Sequence, residues 1–448
     1  MKTTLLHQGP FTLRNIRFEV LRGVSIDSRT IPEDHIFCAL KGEHTDGHRF
    51  VAAALKNGAL AALVNREYAA SAAPDEALII CDDTYTGLVE MARIYAKTFT
   101  MPVFSLTGSV GKTSTRRMLS HILSATLRIA ENPKNFNNHI GLPISILQMR
   151  GDEDLAILEM GSSGIGEIRN LCHIIQPQYG LITAIAPAHI SGFGSIENIQ
   201  KAKFELFDAV RDDGILFINA DDERVSAYPA DTRRRISYGI THPADLRFSV
   251  CDIDAAGRYT LSVDGRTFRL QSSGKGAAIN ACAAYTVAKT LGMDIHMIIR
   301  GLISFRPESG RGAIESWNGM TLIDDSYNAS PLSVKNAISM LTSMQTRGRK
   351  IMVFADMLEM GAETRTSHEE IGSIISGSDI DELLCYGSDT RYTVAAAREG
   401  KHKNAWHFDN KEKLADHLLS VIKPGDTVLF KGSRGEKVEE IISMIKGK

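Results

Sequence analysis

The stretch TGSVGKTS, residues 107–114, lies between an apolar run, PVFSL, and a helix-like segment, RRMLSHILSA. Strand, glycine turn and helix in this order are typical of a phosphate-binding loop, because a helix N-terminus offers unpaired N–H groups and the positive end of the helix dipole. There Lys112 would reach the β- and γ-phosphates, and the Thr113 hydroxyl would bind Mg²⁺. The usual motif has a further glycine five residues before Gly111, where this chain has Leu106. An ordinary glycine turn with a capping threonine is the structural alternative.

The overall composition favours a soluble globular protein. Of its 448 residues, 43% are hydrophobic and 23% charged, and the net charge of -2 gives no reason to expect a nucleic-acid partner. The sequence has no run of about 18 apolar residues, so we predict no membrane span. The N-terminal stretch MKTTLLHQGPF is a poor signal peptide. Six scattered cysteines without CxxC spacing predict buried thiols in a reducing cytoplasm. We therefore expect a cytoplasmic protein.

Strands and helices alternate along the chain in three blocks. From Met101 the apolar runs VFSLTG, LAILEM, YGLITAI and GILFINA alternate with helical segments, which predicts a mostly parallel sheet covered on both faces. Between Ile236 and Phe268 the runs SYGI, LRFSVCDI and RYTLSV predict an antiparallel extension. The stretch FRPESGRG suits a linker, and alternation resumes after it. The prediction is an α/β fold of three domains: residues 1–99, 100–305 and 306–448.

Polar residues at predicted strand ends are the next site candidates. Glu159 ends LAILEM and His189 follows YGLITAI, so both could face the phosphate loop at the carboxyl edge of the sheet as metal ligands. The alternatives are a solvated carboxylate and a structural or surface histidine. Lys203, in a helical segment, points either to solvent or inward to the metal. Asn137 and Asn138 precede a Gly-Leu-Pro stop and are equally typical of turns.

The third block repeats this arrangement. LIDDSYNASP sets Asp325, Tyr327 and Asn328 at a strand end before a helix, which makes this loop a candidate ligand site. LFKGSRGEKVEEI follows the last strand, with Lys431 and Arg434 as candidate anion contacts.

Seven segments together resemble the Mur ligase family, which builds the peptide stem of the cell wall. Besides TGSVGKTS they are GVSIDSRTI, FCALKGEHTDGHRFV, EMGSSGIGEI, AHISGFGSIENIQKAKFELF, LIDDSYNASP and ADMLEMG. The similarity extends from about Gly23 to the last helix, and the family has a phosphate loop of this shortened form. The resemblance implies three domains. They are a small N-terminal α/β domain that binds a UDP-sugar, a central P-loop ATPase-type domain with a mostly parallel sheet, and a C-terminal Rossmann-like α/β domain.

The best-matching segments within the family imply one reaction. An ATP-dependent ligase would join D-alanyl-D-alanine to UDP-N-acetylmuramoyl-tripeptide through an acyl phosphate, in peptidoglycan precursor synthesis, as a cytoplasmic monomer. Two alternatives stay open: a ligase of the same fold that acts on a different carboxylate, and a nucleotide-binding regulator that has lost turnover.

The resemblance also implies roles for individual residues. The expected catalytic residues are Lys112, Glu159, His189 and Lys203, and the expected Mg²⁺ ligands are Thr113, Glu159 and His189. Related ligases carry a carbamylated lysine at the position of Lys203, and a carbamate there would hold a second Mg²⁺. The expected ATP contacts are Gly108, Ser109, Gly111, Lys112, Thr113, Ser114, Asn138, Asn280, Arg311, Asp325, Tyr327 and Asn328. The expected UDP-sugar contacts are Ser28, Arg29, Lys41, Gly42, Asp46, Gly47 and His48.

Two places depart from the family pattern. Family members commonly have an Asn-His pair where this chain has Ser162-Ser163, and a His-Asn pair where it has Gly276-Ala277, with only Asn280 retained. The second departure falls at the expected adenine pocket.

Overall fold

The computed structural model describes residues 1–230 and 232–447. Its N-terminal part is a small sheet with strand order β1-β5-β4-β3-β2, in which β1 runs antiparallel to β5 and the other neighbours are parallel. The strands are β1 Thr12–Arg14, β2 Gly23–Ser25, β3 His35–Cys38, β4 Ala62–Asn65 and β5 Leu78–Cys81. The helices are α1 Val51–Lys56, α2 Arg66–Ser71 and α3 Thr84–Ala96. The Asp83 side chain caps α3 by accepting the N–H of Thr86.

The central part is built on a parallel sheet with strand order β12-β11-β10-β9-β6-β8-β7. Strands β6 and β8 are buried along their whole length, as expected for a sheet covered on both faces. The strands are β6 Val103–Thr107, β7 Ile129–Glu131, β8 Leu155–Glu159, β9 Tyr179–Ile182, β10 Ile215–Asn219, β11 Arg234–Gly239 and β12 Leu246–Arg247. The helices are α4 Lys112–Leu123, α5 Gly141–Leu147, α6 Glu167–Ile174, α7 Ile190–Phe193, α8 Ile196–Ala209, α9 Glu223–Ser226, α10 Lys275–Thr290 and α11 Ile295–Ser304.

Strand β6 lies at a switch point of this sheet. The chain continues from β6 to β7 and β8 on one side and then crosses to β9 on the other. Ligands of open α/β sheets bind outside the carboxyl ends of strands at such a point. The loop after β6 is the phosphate-loop candidate, so the topology places it where a ligand is expected.

An antiparallel sheet follows, with strand order β13-β14-β15: β13 Ser249–Ile253, β14 Arg258–Val263 and β15 Arg266–Ser273. The predicted antiparallel extension is therefore partly right. The prediction is wrong for its first run, SYGI, because residues 237–239 belong to β11, which pairs in parallel with β10. It is also wrong for the start of LRFSVCDI, because residues 246–247 form β12, which is parallel to β11. A half-buried strand shows the same alternation whether its neighbours are parallel or antiparallel, so the pattern could not decide between the two directions.

The C-terminal part has a sheet with strand order β16-β17-β21-β18-β19-β20, in which β16 is antiparallel to β17 and the other neighbours are parallel. The strands are β16 Ala313–Trp317, β17 Met320–Asp325, β18 Lys350–Ala355, β19 Glu382–Tyr386, β20 Ala405–Phe408 and β21 Thr427–Lys431. The helices are α12 Pro331–Ser343, α13 Thr364–Ser376, α14 Thr390–Glu399, α15 Lys411–Val421 and α16 Glu439–Lys446. The predicted three-domain α/β class is confirmed by solved structures reported below.

Hydrophobic packing continues between the central and C-terminal parts. Phe193 of α7 and Met360 of the C-terminal part belong to one cluster of buried residues. The cysteines are free thiols, and five are buried, but Cys251 on β13 is exposed, so the prediction of buried thiols is wrong at that position. Among the described residues, no helix combines the length and the apolar character that crossing a membrane requires.

Candidate active site

The loop between β6 and α4 requires glycine at two positions. Gly108 has φ +147°, and a Cβ there would lie 2.0 Å from Thr183 Oγ1. Gly111 has φ +83°, and a Cβ there would lie 2.6 Å from Asn280 Oδ1. Leu106, at the position of the missing glycine, is a fully buried residue of β6. The loop is short because the strand continues through Leu106 and the turn begins at Gly108.

Lys112 is the first residue of α4, and its side chain folds back over the loop. Its Nζ donates a 2.6 Å hydrogen bond to the carbonyl of Gly108. Burial lowers the pKa of the Lys112 ammonium, and the nearby Glu159 carboxylate offsets part of this effect. Ser109 fixes the other side of the loop, since its Oγ donates to the carbonyl of Ala186 at 2.7 Å.

Glu159 ends β8 beside this loop and is buried, with 3% of its surface exposed. Thr113 Oγ1 donates to Glu159 Oε2 at 2.9 Å, and Asn137 Nδ2 donates to Oε1 at 2.7 Å. The backbone N–H of Glu159 donates to Asn132 Oδ1 at 2.6 Å. A solvated carboxylate is therefore excluded, and both oxygens are directed toward the first turn of α4 and the segment after β7.

Arg116, one turn along α4, is a functional candidate that sequence reasoning missed. It is 1% exposed, and its Nη1 lies 2.5 Å from Glu131 Oε2 and 3.0 Å from the carbonyl of Asn132. Its Nε lies 3.4 Å from Glu159 Oε2. The guanidinium thus joins the end of β8 to the segment that carries Asn137. The available signal was its position four residues after Lys112, on the helix face that packs against the sheet.

Lys203 of α8 points inward. It is 3% exposed, its Nζ donates to Ser162 Oγ at 2.8 Å, and the same atom lies 5.4 Å from the centre of the Phe193 ring. Burial, with a smaller contribution from the Lys112 cation, lowers the pKa of Lys203 to about 7. An amine with this pKa is largely neutral at slightly alkaline pH and can act as a nucleophile.

His189 precedes α7 in a left-handed conformation, φ +53°. Its Nδ1 is paired with a carboxylate oxygen of Glu359, which follows β18 in the C-terminal part. Glu359 also has positive φ, +64°, and its carbonyl accepts the N–H of Ser191 at 3.1 Å. His189 faces the same cavity as Thr113 and Glu159, but its ring is engaged across the boundary between the central and C-terminal parts.

The residues beside the loop fit one Mg²⁺. Thr113 and Glu159 offer oxygen donors, and Mg²⁺ usually takes one or two carboxylates together with waters and substrate phosphates. Among the described residues, no three His, Cys, Asp or Glu side chains converge as a metal site. The structure therefore does not bring His189 together with Glu159 into a protein-only set of metal ligands.

The C-terminal wall of the site contains two cations. The Arg311 guanidinium lies 3.9 Å from the centre of the Tyr327 ring. Lys431 Nζ lies 2.9 Å from Asp325 Oδ2 and donates to the carbonyl of Asn328 at 2.6 Å. Burial lowers the pKa of Arg311 and raises the pKa of Asp325. Two cations that are largely shielded from water suit a strongly anionic ligand, because charges attract more strongly where water is excluded.

These walls enclose a cavity of about 590 Å³ between the central and C-terminal parts. Most of the predicted nucleotide-site residues line it: Ser109, Gly111, Lys112, Thr113, Ser114, Glu159, His189, Asn280, Arg311, Asp325, Tyr327 and Asn328. Gly108, Lys203 and Asn138 are not among the lining residues. Asn138 Oδ1 instead accepts the N–H of Gly141 at 2.8 Å, as in a turn, and Asn135 and Asn137 line the cavity. Arg434, behind Tyr327, lies 5.8 Å from its ring centre.

The seven predicted UDP-sugar residues are not among the described residues that line this cavity. Two of them, Asp46 and His48, stabilise the loop that contains them. His48 is buried, its Nδ1 lies 2.6 Å from Asp46 Oδ1, and its Nε2 accepts the N–H of Asn65 at 3.0 Å. A Cβ on Gly47 would lie 2.6 Å from the carbonyl of Leu40. These residues shape the loop rather than project from it.

The remaining predicted UDP-sugar residues are more accessible. Arg29, Lys41 and Gly42 are exposed, and Ser28 is half-buried. The Arg29 guanidinium is paired with both oxygens of Asp27, at 2.9 and 2.7 Å.

Comparisons with known proteins agree with this geometry. Three family models match: the Mur ligase family catalytic domain over residues 20–93, the Mur ligase middle domain over 106–288, and the Mur ligase glutamate ligase domain over 310–434. A UDP-N-acetylmuramoyl-tripeptide–D-alanyl-D-alanine ligase of Bacillus subtilis is 35% identical over 96% of this chain and 95% of its own length. The Escherichia coli enzyme of the same name is 30% identical over 95% of this chain and 94% of its own length.

Solved structures extend the similarity to the arrangement of all three parts. MurF from Acinetobacter baumannii superposes with a TM-score of 0.87 at 26% identity and covers 100% of this chain and 99% of its own. MurF ligase from Thermotoga maritima, solved in complex with ADP, superposes with a TM-score of 0.83 at 28% identity over 95% of this chain and 97% of its own. The B. subtilis relative is 35% identical over nearly the whole chain, and a Mur ligase family model matches each of the three parts. This chain therefore belongs to the Mur ligase family.

Proposed function

We propose that this chain is an ATP-dependent ligase that joins D-alanyl-D-alanine to UDP-N-acetylmuramoyl-tripeptide in peptidoglycan precursor synthesis. The observation that carries the proposal is the hydrogen bond between Thr113 and Glu159 beside Lys112, in the cavity between the central and C-terminal parts. Relatives that span nearly the whole chain are named for this reaction. Neither a different carboxylate nor a regulator without turnover has an observation that favours it.

The chemistry follows from the need to activate a carboxylate in water. The tripeptide carboxylate attacks the γ-phosphorus of ATP, a C–O–P bond forms, and the bond to the β-phosphate oxygen breaks to release ADP. The D-alanyl-D-alanine amine then attacks the acyl carbon, loses a proton, and expels inorganic phosphate as the amide forms. Lys112 and Arg311 would neutralise phosphate charge, so the protein contributes mainly positioning and electrostatic stabilisation.

The cavity walls also have to exclude water, because an acyl phosphate hydrolyses readily. Closure of the C-terminal part about the linker FRPESGRG would achieve this, and Gly310 and Gly312 in that linker both have φ +80°. A scattering curve that stays unchanged when both substrates are added would contradict the closure.

Mg²⁺ would be held by Thr113 and Glu159, where it would neutralise charge on the phosphates. We propose Lys203 as the site of a carbamate that would hold a second Mg²⁺. The proposal is supported by the lowered pKa of its amine, since CO₂ reacts with a neutral amine, and by the small Ser162 side chain as its hydrogen-bond partner. His189 would reach a metal after its pairing with Glu359 is released.

The first part of the chain would bind the UDP-sugar. Ser28, Arg29, Lys41 and Gly42 would supply accessible contacts, and Asp46, Gly47 and His48 would hold the loop in shape. The proposed domains are residues 1–99, 100–305 and 306–448, supported by the gaps between α3 and β6 and between α11 and β16. We also propose a cytoplasmic monomer, because the reaction consumes ATP and this chain supplies both the central and the C-terminal residues that line the cavity.

Phosphate release from the purified chain tests the function. Release should require ATP, Mg²⁺, UDP-N-acetylmuramoyl-tripeptide and D-alanyl-D-alanine together, and mass spectrometry should find the joined pentapeptide product. Release without the dipeptide, or a product with another acceptor only, would contradict the proposal.

A further inference from the structure

The cavity has two ends, and the proposed function places the reacting groups at one of them. Thr113 and Glu159 lie at the end where the γ-phosphate and the tripeptide carboxylate must meet. The nucleoside of a bound ATP must therefore extend the other way. In that direction Asn280 of α10 lies against Gly111, so α10 leads from the phosphate loop toward the far end of the cavity.

In this direction α10 packs against α12. Gly276 is four residues before Asn280, roughly 6 Å along the helix. A Cβ on Gly276 would lie 3.6 Å from Asn336 Nδ2. One turn further along α12, Met340 Sδ would lie 3.4 Å from a Cβ on Gly274. Asn336 and Met340 both line the cavity, so this contact line forms its end wall.

Asn336 is available to a ligand. Its side chain is half-buried, and its amide makes no hydrogen bond to the rest of the described chain. The donor and the acceptor of this amide are therefore both available to a group bound in the cavity. The neighbouring wall includes the apolar side chains of Ala277, Ile279, Ala337 and Met340. Such a wall suits the faces of a planar ring, and the amide suits its polar edge.

The departure at Gly276-Ala277 explains why Asn336 can reach this position. A large side chain at residue 276 would compete with the Asn336 amide for space, since its Cβ alone would already lie in van der Waals contact with Asn336 Nδ2, at 3.6 Å. Gly276 and Ala277 supply no polar side chain. The Asn336 amide, on α12 of the C-terminal part, therefore takes the place of the missing polar groups.

We propose that Asn336 is a specificity-determining residue that contacts the edge of the ATP base and selects adenine over guanine. This inference rests on the proposed function. A carboxamide has one acceptor and one donor side, which match the exocyclic amino group and the adjacent ring nitrogen of adenine. A carboxylate only accepts, so it matches the N1–H and the 2-amino group of guanine instead.

Binding of ADP, GDP and pyrophosphate by the full chain, measured by calorimetry with Mg²⁺, tests the inference. The wild type should prefer ADP to GDP. Asn336→Ala should weaken ADP binding about tenfold and leave pyrophosphate binding unchanged. Asn336→Asp should reduce the ratio of the GDP and ADP dissociation constants still further, through both weaker ADP and tighter GDP binding. Ser339→Ala, on the exposed side of α12, is the matched control and should change none of these values.

The failure of this inference is distinct from the failure of the proposed function. Equal weakening of ADP and GDP in Asn336→Ala, or an unchanged ratio in Asn336→Asp, would overturn the role of Asn336 while ADP binding and ligation persist. A wild type that binds none of the three probes would overturn both. Folding of each variant is verified by its thermal unfolding curve.

Discussion

Thr113 Oγ1 donates a 2.9 Å hydrogen bond to Glu159 Oε2, and so joins the first turn of α4 to the end of β8. The two residues are 46 positions apart in the chain, and the pairing of β6 with β8 brings them together. The bond holds a carboxylate and a hydroxyl at the phosphate loop, where both face the cavity.

Glu159→Gln should lower kcat by about two orders of magnitude, the loss typical of removing one preorganised electrostatic contact. The amide preserves the size of the side chain but removes the negative charge that would bind Mg²⁺. The Mg²⁺ concentration that gives half-maximal phosphate release should rise as well. Glu363→Gln, at an exposed position outside the cavity lining, is the control. Unchanged Mg²⁺ dependence in Glu159→Gln would rule out a metal role for this carboxylate.

Lys112→Ala should abolish turnover and leave the fold intact. The side chain contacts the Gly108 carbonyl and the cavity but contributes little to a hydrophobic core. Its loss removes a cation from the phosphate site, while the nearby Glu159 carboxylate keeps Arg116 as a cationic neighbour at 3.4 Å. We expect no detectable product by mass spectrometry and a thermal midpoint within a few degrees of the wild type. Persistent ligation would remove this loop from the mechanism.

Arg116→Met should destabilise the protein by about 3–5 kcal/mol, because it removes the buried cation that pairs with the Glu131 and Glu159 carboxylates. Urea unfolding measures the difference. Arg117→Met, the next residue, is the control, since its side chain is 39% exposed and its ion pairs are at the surface. The control should change the free energy of unfolding by no more than about 1 kcal/mol. If the two substitutions changed the free energy of unfolding equally, the buried ion pairs of Arg116 would contribute no more to stability than the surface pairs of Arg117.

Much of the fold and part of the site followed from the sequence. Fully buried apolar runs alternating with helices identified the parallel sheets, and parallel strands necessarily bring their carboxyl ends together, which predicted that Glu159 would face Thr113. The direction of β11 was not predictable, because a half-buried strand has the same alternating pattern whether its neighbours are parallel or antiparallel.

The contacts between the central and C-terminal parts could not be predicted. His189 pairs with Glu359 and Asn336 lies against Gly276, and each pair joins residues far apart in the chain. Such contacts depend on how two separately folded sheets pack, which local periodicity does not encode. Arg116 was missed for a related reason: a charged residue on a helix normally predicts a solvated face, and here buried carboxylates reverse that expectation.

Lys203 makes stability depend on pH in a specific window. Burial lowers its pKa to about 7 in the folded protein, from 10.5 for a lysine in water. Between these two values the unfolded chain binds a proton that the folded chain does not, so the free energy of unfolding should rise as pH increases from about 7 to 10. Below about pH 7 both states are protonated and the full penalty of burying the charge remains. Lys203→Met should remove the contribution of Lys203 to this rise, whereas Lys201→Met, exposed on the same helix, should retain it. The difference between the two variants should reach a few kcal/mol in urea unfolding in CO₂-free buffer. Identical pH profiles of the two variants would show that Lys203 titrates like a solvated lysine.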